Sequence, residues 1–264
     1  MQRLQYLLFF ISIFGYTQNN ISLHIEDSLK ISADKVFGVD TFGTLYYSDN
    51  NQSFYKKTAD TTISYANFQL GKITSANTFN PLKINLFYQD FNTVVILDNR
   101  LAEVFKIDFN TIQDYKNVSL VSTGYDNTIW LFNQDLQQLE LFDYRDNSTR
   151  VRTVPIQSQI LDLKSDYNYC YLLTEAYLYV YNYFGSLIRK IENQGFSEMA
   201  FSKANLVLKR DNGDKSELFL LKKNSDQIVA VKSSDLLINQ FLVTNETLYI
   251  YNDEKLRRYQ LKFQ

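Results

Sequence analysis

This sequence predicts an all-β protein, a β-propeller of about six four-stranded blades, on three observations. Tyr and Phe stand at 20 each against 8 Gly, 2 Pro and 2 Met, a surplus of residues suited to a pleated, half-buried surface. From Ile21 onward, apolar runs of about five to eight residues alternate with Asn, Asp, Gly, Lys and Ser, and almost no stretch sustains a helical period. In the second half the runs form sets of four that recur about every 40 residues, the length of one blade.

Taken in order, the clearest runs of the first half are Val36–Val39, Thr44–Tyr47 and Ser53–Lys56, then Lys83–Tyr88, Thr93–Leu97 and Glu103–Ile107, then Ser119–Ser122, Thr128–Phe132 and Gln138–Tyr144. The second half gives Ile160–Lys164, Tyr169–Thr174, Tyr177–Tyr181 and Ser186–Ile191, followed by Glu198–Ser202, Asn205–Lys209, Ser216–Lys222 and Gln227–Val231. A last set, Asn239–Val243, Thr247–Tyr251 and Leu256–Leu261, is one strand short. A propeller closes by pairing a strand from one terminus into the blade at the other, and Ile21-Ser22-Leu23-His24-Ile25 is available for this. Such closure removes the open edges that invite aggregation. The competing architecture is a large sandwich or an irregular barrel. No WD dipeptide, kelch glycine pair or Asp-box assigns the repeats to a propeller class with a signature.

The N-terminus reads as an export signal over residues 1–17, leaving a single propeller domain over 18–264. Arg3 gives a positive n-region, Tyr6–Phe14 is apolar, and Gly15 and Thr17 supply small residues before a cut. The apolar run is well short of the roughly 20 residues that span a bilayer. A buried first strand or an uncleaved anchor is the alternative. No cysteine follows the run to carry a lipid, and no later run is apolar enough for a membrane helix. The mature chain is therefore expected to be soluble, periplasmic and without a direct membrane span.

The net charge of -2 and pI near 5.5 argue against nucleic acid as a partner, which calls for clustered Lys and Arg. Local basic groups at Arg145, Arg150 and Arg152, and at Lys255, Arg257, Arg258 and Lys262, are interspersed with acids and read as solvated faces. The lone Cys170 allows no intramolecular disulfide, and its aromatic surroundings in sequence suit a buried apolar residue. With His24 as the single histidine, neither an ordinary zinc site nor a Ser-His-Asp triad is expected. Asp49-Asn50, Asp98-Asn99, Asp146-Asn147 and Asn252-Asp253 could hold Ca²⁺ in a propeller channel, but turn chemistry accounts for them. Trp130 is read as core rather than as a ligand platform, and the alternating Tyr177, Tyr179, Tyr181 and Tyr183 as packing between blades rather than a binding strip. No residue is assigned as catalytic, cofactor-binding or metal-binding, and no enzyme activity is expected.

The segment Asn80-Pro81-Leu82-Lys83-Ile84-Asn85-Leu86-Phe87-Tyr88-Gln89-Asp90-Phe91-Asn92-Thr93-Val94-Val95-Ile96-Leu97-Asp98-Asn99 resembles a run in exported propeller-like proteins of Bacteroidota. Gly38–Tyr46, Ile129–Phe132 and the leader ending near Thr17-Gln18 are similar to the same group. The resemblance implies a non-catalytic envelope propeller, monomeric by itself, with a protein partner. One class in that group plugs the periplasmic mouth of the outer-membrane barrel of the type IX secretion system, so such a barrel is the partner the resemblance implies. A carbohydrate or cell-wall binding propeller and a Ca²⁺-dependent lactonase-like hydrolase are the alternatives.

Overall fold

The computed structural model describes residues 21–202, 205–213, 215–222, 226–232 and 238–262; the export signal expected over residues 1–17 lies outside them. The chain forms six four-stranded antiparallel blades in a ring, with no helix beyond a short 3-10 turn at Gln89–Phe91 among the described residues.

After β1 (Ile21–Lys30), blade 1 holds β2 (Lys35–Val39), β3 (Leu45–Ser48), β4 (Phe54–Lys57) and β5 (Thr62–Tyr65). Blade 2 holds β6 (Ser75–Asn77), β7 (Ile84–Tyr88), β8 (Thr93–Leu97) and β9 (Glu103–Asp108). Blade 3 holds β10 (Val118–Thr123), β11 (Thr128–Asn133), β12 (Gln138–Asp143) and β13 (Ser148–Arg152). Blade 4 holds β14 (Ile160–Ser165), β15 (Tyr169–Thr174), β16 (Tyr177–Asn182) and β17 (Leu187–Glu192). Blade 5 holds β18 (Glu198–Ser202), β19 (Asn205–Asn212), β20 (Lys215–Lys222) and β21 (Ile228–Lys232). Blade 6 joins β22 (Gln240–Thr244), β23 (Thr247–Asn252) and β24 (Lys255–Lys262) to β1. The first strand of each blade touches the first strands of both neighbours, so these inner strands ring a central channel.

The middle strands are buried on both faces, which is why they read as unbroken apolar runs rather than alternating ones. Every residue of β7, β8 and β11 is buried. Six apolar clusters fill the wedges between consecutive blades, around Leu86, Ile129, Leu172, Leu208, Leu220 and Leu45 in turn. The core is thus six interfaces, and each sheet is stable only between its neighbours.

The closing strand forms where the sequence places it, but it is longer. β1 pairs antiparallel with β24 from Ser22↔Lys262 to Lys30↔Lys255, with a bulge between Ile25 and Asp27. The bulged Glu26 meets Arg258 at 2.8 Å. At its start β1 also pairs in parallel with β21, Ile21 opposite Val231, which stitches blades 5 and 6 into one eight-stranded sheet.

Candidate functional site

Because strands alternate in direction within a blade, loops joining first to second and third to fourth strands emerge on one face, here called the front. Many of these loops are built on Asx side chains. Asp40 Oδ1 accepts the amides of Phe42 and Thr44 at 2.9 Å each, with Gly43 between them in the left-handed region at φ 79°. Asn182 Oδ1 does the same for Phe184 and Ser186 around Gly185, and Asp98 for Arg100 and Ala102 around Leu101. The backs of such loops are locked, so the residue at the tip is pushed outward. Phe42 is 90% exposed and Phe184 63%.

On the front of blades 2 to 4, exposed and half-buried rings pack in two groups. Phe79 packs edge-on against Tyr167 with centroids 5.2 Å apart, and Asn80 Nδ2 donates to the Tyr167 hydroxyl. Tyr125 meets Tyr183 at 5.7 Å, Tyr183 meets Phe184 at 3.9 Å, and the Arg150 guanidinium lies over Tyr125 at 5.7 Å. Leu82, 68% exposed, extends the patch in the same loop as Phe79. The back face also exposes Phe68, Phe91 and Tyr115, but no ring contact joins these three among the described residues.

One buried lysine holds the loops beneath this patch, and a second lies in the back-face connection from β9 to β10. Lys83 Nζ donates to the carbonyls of Gly124, Asp126 and Thr128 at 3.0, 2.8 and 3.0 Å, pinning the blade 3 loop to blade 2. Burial lowers its pKa to about 8, with the Asp126 charge opposing. Lys116, at the join of blades 2 and 3, reaches Glu140 Oε2 at 2.6 Å. The Glu140 carboxylate also accepts from Asn133 and Thr149 at 3.0 and 2.9 Å. Burial alone would raise its pKa, but hydrogen bonds from Lys116, Thr149 and Asn133 hold it below the ordinary value.

The inner strands carry charged side chains that find partners. Lys164 pairs with Asp162 at 2.7 Å, the other Asp162 oxygen accepts the Met199 amide at 3.0 Å, and Lys35 donates to the Thr74 carbonyl at 2.8 Å. Burial, then the charge of Lys164, lowers the Lys35 pKa. No group of three or more His, Cys, Asp or Glu side chains that could hold a metal ion is found among the described residues.

The residues singled out in sequence fall as follows. Cys170 and Trp130 are buried in the wedge between blades 3 and 4, and burial raises the thiol pKa. Tyr181 and Tyr179 pack into the same wedge, while Tyr183 leaves the ladder to join the front patch. His24 lies in β1 opposite Gln260, remote in the fold from Cys170. The front patch itself escaped sequence reasoning. Its available signal was aromatic residues at loop tips, in Phe79-Asn80 and Tyr183-Phe184-Gly185.

The ring of blades and its loop faces define a six-bladed β-propeller. No family model and no curated protein matches the chain. Solved structures do match. A member of the DUF4221 family from Bacteroides vulgatus aligns with a TM-score of 0.65 at 11% identity, over 94% of this chain and 99% of that one. Virginiamycin B lyase from Staphylococcus aureus gives 0.59 at 10% identity, over 94% and 97%. BamB from Moraxella catarrhalis gives 0.54 at 10%, over 92% and 98%. At these identities the likeness is one of fold. Among the described residues, no helix is long and apolar enough to cross a membrane.

Proposed function

We propose that this protein is an exported, non-catalytic propeller that binds another protein through its front face, plugging the periplasmic side of an outer-membrane secretion barrel. The observation that carries the binding reading is the pair of aromatic groups on the front of blades 2 to 4, Phe79 on Tyr167 and Tyr125 with Tyr183 and Phe184. Contiguous exposed apolar surface on a soluble domain marks an interaction site more often than it marks packing. Aromatic anchors on loops that are already fixed lose little entropy on docking. The leader over residues 1–17 supports export, the likeness of residues 80–99 to Bacteroidota propellers supports membership in that envelope group, and a size and exported character similar to its plug proteins support the barrel as partner.

The test is a pull-down of the tagged mature chain from a gently solubilised envelope of its host, with mass spectrometry of the eluate. A large outer-membrane barrel among the recovered proteins is the expected result. Recovery of the chain alone overturns the reading.

A further inference from the structure

On the back face, a cleft of about 430 Å³ opens between blades 2, 3 and 4, close to the start of the inner strands. Gln89, Gln134 and Gln159, from three different connections of the ring, line it. Among the described residues none hydrogen-bonds these three carboxamides; Gln134 uses its backbone carbonyl, which accepts from Gln137 Nε2 at 2.8 Å. Ser119 and Ser158 add hydroxyls, while Leu120 and Ile160 supply apolar surface. Among the described residues, no charged one lines the cleft.

We infer that this cleft is a binding site for an uncharged saccharide. Three arguments narrow the ligand. A charged molecule would lose its hydration with no counter-charge in the walls, a cost that an uncharged one avoids. An apolar molecule would cover three open carboxamides and leave their donors and acceptors unpaired. Neighbouring hydroxyls on a sugar ring satisfy both halves of a carboxamide at once, since each amide offers an acceptor oxygen and two donor hydrogens. The apolar C–H face of the same ring suits Leu120 and Ile160. The volume lies within the range of about 300–1,000 Å³ found for small-ligand pockets. A peptide is the less favoured occupant, because the cleft offers neither a charged group for a terminus nor a separate pocket for a side chain.

The site lies on the opposite face from the aromatic patch, so its fate is independent of the docking proposal. The experiment is titration of the mature protein with maltotriose, cellotriose, chitotriose and mannotriose, followed by NMR or calorimetry. At least one should bind with an affinity insensitive to added salt. The Gln134→Ala/Gln159→Ala double variant, at exposed positions, should keep the wild-type melting curve and weaken that binding about ten-fold or more. Absence of binding by every sugar at about 10 mM overturns the inference. So does affinity that the double variant leaves unchanged, a salt-sensitive preference for a uronic acid oligomer, or displacement by tetra-alanine.

Discussion

Phe79 of blade 2 meets Tyr167 of blade 4 edge to face, with ring planes at 87°, although the sheet of blade 3 stands between them in the ring. The loop over residues 78–83 therefore passes blade 3 on the channel side, and Asn80 fastens it there through the Tyr167 hydroxyl. Lys83, at the end of the same loop, fastens it to the loop of blade 3. Three blades thus contribute prefixed aromatic contacts to the front face. Replacing Phe79 and Phe184 together by Ala should cut recovery of the partner from envelope extracts, by an amount equivalent to about 2 kcal/mol or more for two anchors. Phe184 is largely and Phe79 about half solvent-facing, so the melting temperature should fall by only a few degrees. Equal recovery by variant and wild type, measured by quantitative mass spectrometry, would place the interface elsewhere.

Lys83 gives the fold a pH dependence with a defined sign. Its folded-state pKa of about 8 lies below the usual 10.5, so between those values the unfolded chain holds more protons than the folded one. Stability contributed by this group therefore rises as pH climbs through that window, by about 3 kcal/mol at most. Tyr46, Tyr65, Tyr171 and Tyr181 act the other way. Burial raises each phenol above its usual 10.0, so their contribution is whole below pH 10 and is lost as pH rises past it. Urea unfolding of wild type should show stability increasing from pH 8 toward 10 and then falling. Lys83→Met should shrink the rise to the part that Lys35 contributes and keep the fall, and identical slopes for both proteins would contradict the assignment.

Glu140 is the acceptor for three side chains inside the wall between blades 2 and 3, and its partner Lys116 is almost fully buried. Glu140→Gln keeps the shape but leaves the ammonium without a counter-charge. The expected loss is about 3 kcal/mol, in the range for breaking one half of a buried pair. Because the Glu140 pKa is lowered in the folded state, wild type should also lose this contribution as pH falls through the folded value. Denaturant titrations at neutral and acidic pH should show the two proteins converging in acid.

Two glycines in equivalent turns separate backbone strain from clash. Gly43 and Gly185 both hold the left-handed position of an Asx loop, at φ 79° and 78°. A Cβ at Gly43 would meet nothing within 4 Å, whereas one at Gly185 would fall 2.1 Å from Val151 Cγ1. Gly43→Ala should therefore cost only the conformational term of about 1–2 kcal/mol. Gly185→Ala should cost clearly more, since Val151 and the blade 3 edge must also shift. Thermal melts of the two variants decide the order.

How much of this was readable beforehand follows from where each strand sits. The middle strands announce themselves, because burial on both faces demands runs such as Thr128-Ile129-Trp130-Leu131-Phe132. The strands not picked out are at the inner and outer ends of blades. β6 is three residues, Ser75-Ala76-Asn77, held by channel contacts such as Asn77 to Ser122 at 3.1 Å. β5 and β13 are mostly exposed, and Thr62-Ile63-Ser64-Tyr65 or Ser148-Thr149-Arg150-Val151-Arg152 carries no core signal. The front patch was hidden for a different reason. Phe79 and Tyr167 are 88 positions apart and come together only because blades 2 and 4 share a channel mouth. Local pattern cannot report a contact that ring geometry creates. The Gln89, Gln134 and Gln159 cleft is invisible in sequence on the same grounds.

The ring closure supplies the last test. β1 contributes little core, since Ile25 and Leu29 are exposed and Leu23 is only partly buried against the blade 5 and 6 cluster. Its value lies in the backbone: it covers the edge of β24 over eight register pairs and touches β21 at its start. A chain beginning at Ile31 would keep all six inner strands but leave β24 and β21 with open edges. Open edges pair with other copies, so the shortened protein should self-associate at concentrations where the mature protein stays monomeric. A synthetic peptide of residues 21–30 added in trans should restore the monomer by occupying the vacant edge. Light scattering behind size exclusion reads both outcomes, and a shortened chain that remains monomeric and equally heat-stable would show that the ring closes through its inner strands alone.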